Sequence, residues 1–502
     1  MPNDFITRRM FLTRAGTLAL CIGIAQFCMP HRALADDPYS TGLWLAGDHH
    51  IHTKYSPDGQ YDIIQQVAAA QAHGLSWCVI TDHGGPMHDK FAVKRAYPEL
   101  LAARKKYPGM VIFQGLEWNV PEAEHGSIIV PPTPDEAKIV AEFEARYDQL
   151  NISRKNTPAN TEADAVAGVK YLQSLKPAPI FIANHPARRG RNSPIEIRNW
   201  SDAGPDVAKG FEGAAGHQAA SLIGQPRGHY EKSQAKDSWP AYPKESYRTW
   251  NGYDWYVAKV GGLWDSLLGE GRSWYITTNS DSHRHYTDHT IVNTLTYATH
   301  GHVTPTTQKA DKPDNIDFWP GEYNKTWVYA KSADPLDILT ALRSGSMFAS
   351  HGDLVDRLEL TATSGDAVAI MGSSLLLDKP GHDVTVRIRM RVPTKPNFGG
   401  RTVKLHHLDL IAGDILGPTP DRASITNPTT KRVKTFEAGE AKRDGDTFTF
   451  THTFKNVKLS FYVRIRATNR DLPEPQMDSS QNVNPWDDLW CYSNPVMIRM
   501  KP

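Results

Sequence analysis

The chain has 502 residues, of which 40% are apolar and 22% charged, with a formal net charge of +1. That length exceeds one ordinary core and points to two domains, and the composition excludes a disordered or fibrous chain. With no basic excess, neither a nucleic acid nor an anionic membrane surface is expected as a partner.

The first segment reads as an export signal. "TRRMFLT" places Arg8 and Arg9 before a Phe-Leu pair, an apolar run extends from Ala15 to Met29, and "ALAD" offers a small-residue cleavage site after Ala35. This order predicts a twin-arginine signal over residues 1–35, with the twin-arginine export machinery as a partner and the periplasm or the extracellular space as destination. The run is shorter than the ~20 apolar residues that cross a bilayer, so no stable membrane anchor is expected. Cleavage removes Arg8, Arg9, Arg14 and Arg32 along with Asp4, which takes the net charge from +1 to −2. Cys21 and Cys28 leave with the signal. Cys78 and Cys491 are too few and too distant to read as a disulfide framework, and Cys78 sits in an apolar run as plain core.

From about residue 43 to residue 285, short apolar runs alternate with helical patterns. "WLAGDHHIH" is followed by the helical "YDIIQQVAAAQAHG" with its terminal Gly, then by "SWCVITDHG" and the helix within "AVKRAYPELLAARKKYPG". "MVIFQGLEWN" and "EHGSIIV" are close neighbours. Helices within "DEAKIVAEFEARYDQL" and "TEADAVAGVKYLQSL" lead to "APIFIANHP", and a helix near "DWYVAKVGGLWDSLLG" leads to "RSWYITTNSDSH". Strands alternating with helices predict a parallel sheet or barrel over residues 36–352. The Gly-, Pro-, Trp- and Tyr-rich stretch from Arg188 to Tyr253 is too long for an ordinary connection and reads as a functional insertion. After Asp353, alternating runs such as "DVTVRIRMR", "TFTFTHTF" and "SFYVRIRAT" follow one another without a helix, which predicts a β-sandwich over residues 353–502.

The chemistry is carried by the ends of the strands. In "GDHHIHTKYSPDG" the two-residue period of a strand puts Asp48, His50 and His52 on one face, with His49 and Ile51 pointing away, and Asp58 closes the loop. "VITDH" ends on His83, "FQGLE" on Glu117, "IANH" on His185 and "TTNSDSH" on Asp281 and His283, while His125 opens the strand after Glu117. In parallel α/β folds the carboxyl ends of the strands converge on one face. One such His is as readily a strand cap as a ligand, but unpaired buried charge at every strand end is too costly to be incidental. A Cys-free set of imidazoles and carboxylates suits zinc, manganese or iron better than calcium or magnesium. Nine ligands exceed the need of one ion, so two or three divalent ions are expected, with Glu117 as the natural bridge.

"DHHIHTKYSPDG", "ITDH", "GLEWNVPEAEH", "ANHP" and "SDSH" resemble, in order, the five motifs of the PHP (polymerase and histidinol phosphatase) superfamily, over roughly residues 43 to 350. The resemblance implies an α/β fold, a distorted (β/α)7 TIM-like barrel, here followed by the all-β sandwich-like domain. It implies that His50, His52, Glu117 and Asp281 hold a first metal, Glu117, His125 and His185 a second, and Asp58, His83 and His283 a third. The signal, the Trp/Tyr-rich insertion and the C-terminal β-domain resemble the secreted subgroup that includes carbaryl hydrolase.

The leading expectation is an exported phosphoesterase acting on a small-molecule substrate. A metal-bound hydroxide would be the nucleophile, and Asp281 or His283 would assist proton transfer with Glu117 at the centre. Arg188, followed by Arg189 and Arg191, is the first candidate for holding a substrate anion, and His217 is a second candidate substrate ligand. His285 and His289 lie close enough in sequence to line the site, and Trp200, Trp239, Trp250 and Trp255 could wall a pocket. The runner-up keeps the same metals but cleaves a carbamate, carboxyl ester or amide. A third reading makes the chain a binding protein whose β-domain recognises carbohydrate or a surface.

Overall fold

The computed structural model describes residues 37–153, 161–216, 235–288, 297–306, 308–310, 317–478 and 484–501. The expected signal (residues 1–35), His217 and His289 lie outside these. Among the described residues, nine strands build the N-terminal part: β1 (Leu43–Asp48), β2 (Trp77–Ile80), β3 (Val111–Asn119), β4 (His125–Val130), β5 (Ile180–Ala183), β6 (Ala208–Ala215), β7 (Tyr275–Asn279), β8 (Asn324–Ala330) and β9 (Met347–His351).

Strands β1, β2 and β3 run parallel, as do β5, β6 and β7, while β4 is antiparallel to both β3 and β5. Strands β8 and β9 extend the β1 edge in antiparallel fashion. The sheet is therefore mixed, and its hydrogen-bonded order β9-β8-β1-β2-β3-β4-β5-β6-β7 is not the all-parallel ring that a regular (β/α)7 barrel implies. Its two ends nonetheless approach at one place, where a parallel bridge joins Ile51 beyond β1 to Ser282 beyond β7. A reversed β4 has a useful consequence: its first residue, His125, lies opposite Asn119 at the end of β3, on the side where the parallel strands finish.

Local chemistry explains the segments. The "WCVI" of β2 is buried throughout, as a central strand covered on both faces must be. Helix Ile63–Ala72 begins on an Asp62–Gln65 capping box, and helix Pro194–Ala203 on a Ser193–Glu196 box with Pro at its first position. Helix Pro335–Ser344 stops at Gly345, whose φ of +76° suits the left-handed cap. Trp200 is buried against Phe181, and Trp239, Trp250 and Trp255 pack against the same core, so these aromatics stabilise the fold.

The stretch read as an insertion contains a strand. β6, with the sequence AKGFEGAA, is buried along its whole length and pairs with β5 and β7. Its Gly and Ala content hides it from a strand propensity reading.

The C-terminal strands are β10 (Arg357–Ser364), β11 (Ala367–Ile370), β12 (Ser374–Leu377), β13 (Val384–Arg391), β14 (His407–Asp414), β15 (Lys431–Glu437), β16 (Lys442–Asp444), β17 (Thr447–Phe454), β18 (Phe461–Thr468), β19 (Trp490–Ser493) and β20 (Val496–Met500). Five of them form one sheet in the order β11-β10-β13-β17-β16. The alternation of β13 buries Val384, Val386, Ile388 and Met390 against Leu408, Leu410, Val463 and Ile465 of the facing layer. That facing layer continues the N-terminal sheet, because β19 pairs with β9. Residues 38–502 accordingly make one compact unit. A buried pair locks it: the Asp265 carboxylate on helix Leu263–Gly269 accepts from Arg464 Nε at 2.9 Å and from Nη2 at 2.7 Å.

Candidate metal centre

All nine ligand-type residues singled out in the sequence arrive at one end of the mixed sheet. His50 and His52 leave β1, His83 leaves β2 and pairs as a bridge with Glu117 of β3, His125 opens β4, His185 follows β5, and Asp281 and His283 follow β7. Their ligand atoms fall into four overlapping groups, each within 4.8 Å: His50, His52 and Asp281; His50, Glu117 and His185; His83, Glu117 and His125; and His52, Asp58, His83 and His283. The grouping is more intermixed than the three sets implied by the resemblance, of which only the first two share a residue, Glu117.

Glu117 is the centre. Its Oε1 lies 2.9 Å from His50 Nε2, 3.3 Å from His125 Nδ1 and 3.4 Å from His185 Nε2. Its Oε2 lies 2.8 Å from His83 Nδ1 and 3.4 Å from His52 Nε2. Five imidazoles thus crowd one buried carboxylate, each oxygen facing its own subset. His50 Nε2 is also 3.1 Å from His52 Nε2 and 3.1 Å from Asp281 Oδ1.

The electrostatics show what such a cluster lacks. Burial opposes ionisation of Glu117, but His50, His125 and His83 outweigh it and hold the carboxyl well below its usual range. Burial likewise opposes charge on His50 and His83. For His50, Asp281, Glu212 and Glu117 override it; for His83, Asp58 and Glu117 do so, and both rings are held well above the ordinary imidazole value. His52 and His185 go the other way: burial and then His283 bring His52 to about 4, and burial and then Arg188 bring His185 to about 3. The carboxylates thus call for positive charge at the centre, and the buried Nδ1 of His185 has no hydrogen-bond partner. Convergent imidazole and carboxylate donors of this kind fit divalent cations.

A supporting layer surrounds the donors. Ser56 Oγ lies 2.8 Å from His52 Nδ1 and accepts from the His83 backbone N–H at 2.9 Å. Asn184 Nδ2 donates to Glu117 Oε1 at 2.9 Å. Asp317 Oδ2 is 3.3 Å from His283 Nδ1 and takes the His283 backbone N–H at 2.9 Å. Asp48 is a clamp and not a donor to the cluster: its two oxygens accept the backbone N–H groups of His50 and Ser280, each at 2.9 Å. Glu212, unmarked by the sequence reading, lies 2.9 Å from His50 Nδ1.

The secondary candidates separate. Arg188 is placed beside the donors, its Nη2 on Glu124 Oε1 at 3.0 Å, one residue before His125. His285 belongs elsewhere: it lies 3.0 Å from Glu322 Oε2 and stacks on Trp319. His49 faces away from the centre toward Thr277 Oγ1 at 2.8 Å and Asn279 Nδ2 at 2.9 Å. Arg191 pairs with Asp237.

Residues 48–172 match the family model of the PHP domain, a stretch that takes in His50, His52, Asp58, His83, Glu117 and His125 and ends before His185, Asp281 and His283. No curated protein matches the chain. Among solved structures it is similar to a two-domain protein containing a predicted PHP-like metal-dependent phosphoesterase from Bacteroides vulgatus ATCC 8482, at 14% identity and a TM-score of 0.33, covering 88% of this chain and 96% of that one. It is also similar to the lesion-specific endonuclease EndoQ from Pyrococcus furiosus, at 14% identity and a TM-score of 0.32, covering 61% of this chain and 57% of that one. A third match is an endonuclease Q in complex with a 27-mer duplex carrying an abasic lesion at the active site, at 18% identity and a TM-score of 0.23, covering 36% of this chain and 46% of that one.

The expectation that nucleic acid has no place here is withdrawn, because overall charge does not exclude it. A nearly neutral net charge describes the whole surface, whereas a substrate is held by the charges local to its site. The small-molecule restriction is therefore dropped, and none of these matches supports the export machinery as a partner.

Proposed function

We propose that this protein is a metal-dependent phosphoester hydrolase whose centre is the cluster around Glu117. The observation that carries the reading is the convergence of five imidazoles on that one buried carboxylate, each oxygen serving a different subset. Such an arrangement suits a carboxylate shared between neighbouring cations. When bound, divalent ions supply Lewis acidity that polarises a phosphoryl oxygen and lowers the pKa of water.

The chain's own residues do the rest. His50, His52, Asp58, His83, Glu117, His125, His185, Asp281 and His283 would hold the ions. His283, tethered through Nδ1 to Asp317, directs Nε2 toward Asp58 at 3.5 Å and Asp281 at 3.8 Å, which is the orientation of a ring nitrogen that would hold an ion together with Asp58. Arg188, fixed by Glu124 beside His125, offers a planar cation to the non-bridging oxygens of a phosphoester. Its charge already acts on His185. This placement favours an anionic phosphoester over the neutral substrate of the carbamate, ester or amide reading, although the likeness to the carbaryl-hydrolase subgroup keeps that reading as the comparison to test.

The test is metal content by mass spectrometry, together with hydrolysis of an aryl phosphate monoester, an aryl phosphodiester, a duplex oligonucleotide with an abasic lesion, and an aryl ester and carbamate. The His185→Ala variant serves as control. At least two metals per chain, with phosphoester cleavage lost in the variant, is the expected result. Metals with only ester or carbamate cleavage would move the assignment to the runner-up, and no metal and no activity after adding manganese or zinc would sink it. We also infer, from residues 1–35 alone, that the mature chain begins at Asp36 and works outside the cytoplasm. N-terminal sequencing of the protein recovered from its native host tests this, and an intact Met1 in the mature protein would refute it.

A further inference from the structure

We propose that Glu212 is a positioning residue for the metal centre, fixing which nitrogen of His50 faces the ions and holding the turn that presents His185. The proposal rests on the metal-centre reading above.

Glu212 is fully buried on β6, the strand between β5 and β7. Its Oε1 accepts from His50 Nδ1 at 2.9 Å and from Asn279 Nδ2 at 3.4 Å, and its Oε2 accepts the His185 backbone N–H at 2.9 Å. Among the described residues no lysine or arginine pairs with it. A buried carboxylate is costly without compensation, so its partners must supply it. The N–H of His50 is the principal one. With the proton on Nδ1 and pointing at Glu212, the Nε2 lone pair is left toward Glu117, Asp281 and His52, where a cation would lie. The opposite tautomer would set an Nδ1 lone pair against the carboxylate.

The second oxygen acts on the backbone. His185 has a φ of +28°, a conformation that a residue with a side chain adopts reluctantly, and its N–H is the atom that Glu212 holds. The strand is shaped for this. The register between β6 and β7 shifts between Glu212 and Ala214, a bulge of the kind that re-aims a side chain. One carboxylate thus ties together a ligand from β1 and a ligand from β5 without belonging to any of the four donor groups.

The experiment compares wild type with Glu212→Gln and Glu212→Asp. Zinc or manganese bound to the full chain is titrated against a competing chelator, and thermal unfolding of the chelated proteins is recorded alongside. Glu212→Gln keeps the shape but puts an NH2 against either the His50 N–H or the His185 N–H, so metal affinity is expected to fall about 10- to 100-fold. A merely structural carboxylate would lower the unfolding temperature of the chelated protein and leave the affinity unchanged, and that result would overturn the proposal. If Glu212→Gln does not fold, Glu212→Asp, which keeps the charge but falls short of one partner, decides by the same titration: weakened binding supports the role, and wild-type binding refutes it. Wild type that binds no metal would bring down the metal-centre reading and this proposal together, whereas metal-binding wild type with equally tight variants would bring down this proposal alone.

Discussion

Replacing Asp265 by Ala should be among the most destabilising single changes in the chain, although it lies outside the metal centre. Both partners of the Asp265–Arg464 pair are fully shielded from solvent. The carboxylate accepts four hydrogen bonds: two from Arg464, one from Tyr462 Oη at 2.9 Å and one from the Gly261 backbone N–H at 2.7 Å. Tyr462 keeps a second partner in Thr430 at 2.7 Å, so it is not orphaned by the change. Among the described residues Arg464 keeps the Trp264 ring, 4.6 Å from its guanidinium carbon, to balance a buried charge. Breaking a buried pair on one side costs about 3–5 kcal/mol, nearly all of it the stranded cation. The double variant Asp265→Leu/Arg464→Met removes both charges and should recover most of that loss, since well-packed apolar replacements of buried pairs are often close to neutral. Urea unfolding followed by tryptophan fluorescence measures both. A single variant within about 1 kcal/mol of wild type, or a double variant no better than the single, would show that the pair does not lock the helix before β7 to the C-terminal layer.

Three further outcomes follow from the geometry. Arg188→Ala should raise KM for a phosphoester about 10- to 100-fold by removing a charge-assisted hydrogen bond, with metal content unchanged; an unaltered KM would take Arg188 out of substrate binding. Chelation should lower the unfolding temperature, because free metal at 100 times its Kd adds about 2.7 kcal/mol to the folded state, and an unshifted transition would argue that no ion binds the native protein. The buried His88 ring lies 2.9 Å from Glu144 Oε2; burial opposes its charge, but Glu144 prevails and brings it to about 9. A folded value above the unfolded 6.5 means stability that is complete below pH 6.5 and lost as pH rises through 9. Wild type should therefore exceed His88→Gln by at most about 3 kcal/mol at pH 6, a gap that closes by pH 10, because burial also pushes the Glu144 carboxyl up and takes part of it back. A gap that widens with pH would refute the assignment.

The donors were legible in the sequence because each sits where an apolar strand stops: His83 after "VITD", Glu117 after "FQGL", His185 after "IAN". Type and position together carry the signal, and the strand period alone separates His50 and His52 from His49. The layer behind them was not legible. Glu212 lies in "AKGFEGAA", where no β-branched residue marks a strand, and Asp317 is 34 positions from the ring it holds. Arg188 was singled out by its closeness to His185, but only the structure supplies Glu124 as its anchor. His285 shows the reverse error: it stands two residues from His283 in sequence, yet its ring packs on Trp319, because nearness along an irregular segment does not fix direction.

The sheet's topology explains why the supporting layer matters as much as the donors. Two donors, His185 and Asp281, adopt positive φ values of +28° and +49° without being glycine. Each such residue costs about 1–3 kcal/mol and persists only when its surroundings over-determine it. Both follow strands that flank β6, and in both places buried polar groups hold the backbone: Glu212 takes the His185 N–H, and Asp48 takes the Ser280 N–H just before Asp281. A parallel strand that leaves the sheet in extended form carries its side chains alternately to the two faces, whereas these turns bring two donors inward to the cluster around Glu117. The fold therefore holds strain at the points where it gathers its ligands, and buried carboxylates on β1 and β6 maintain it.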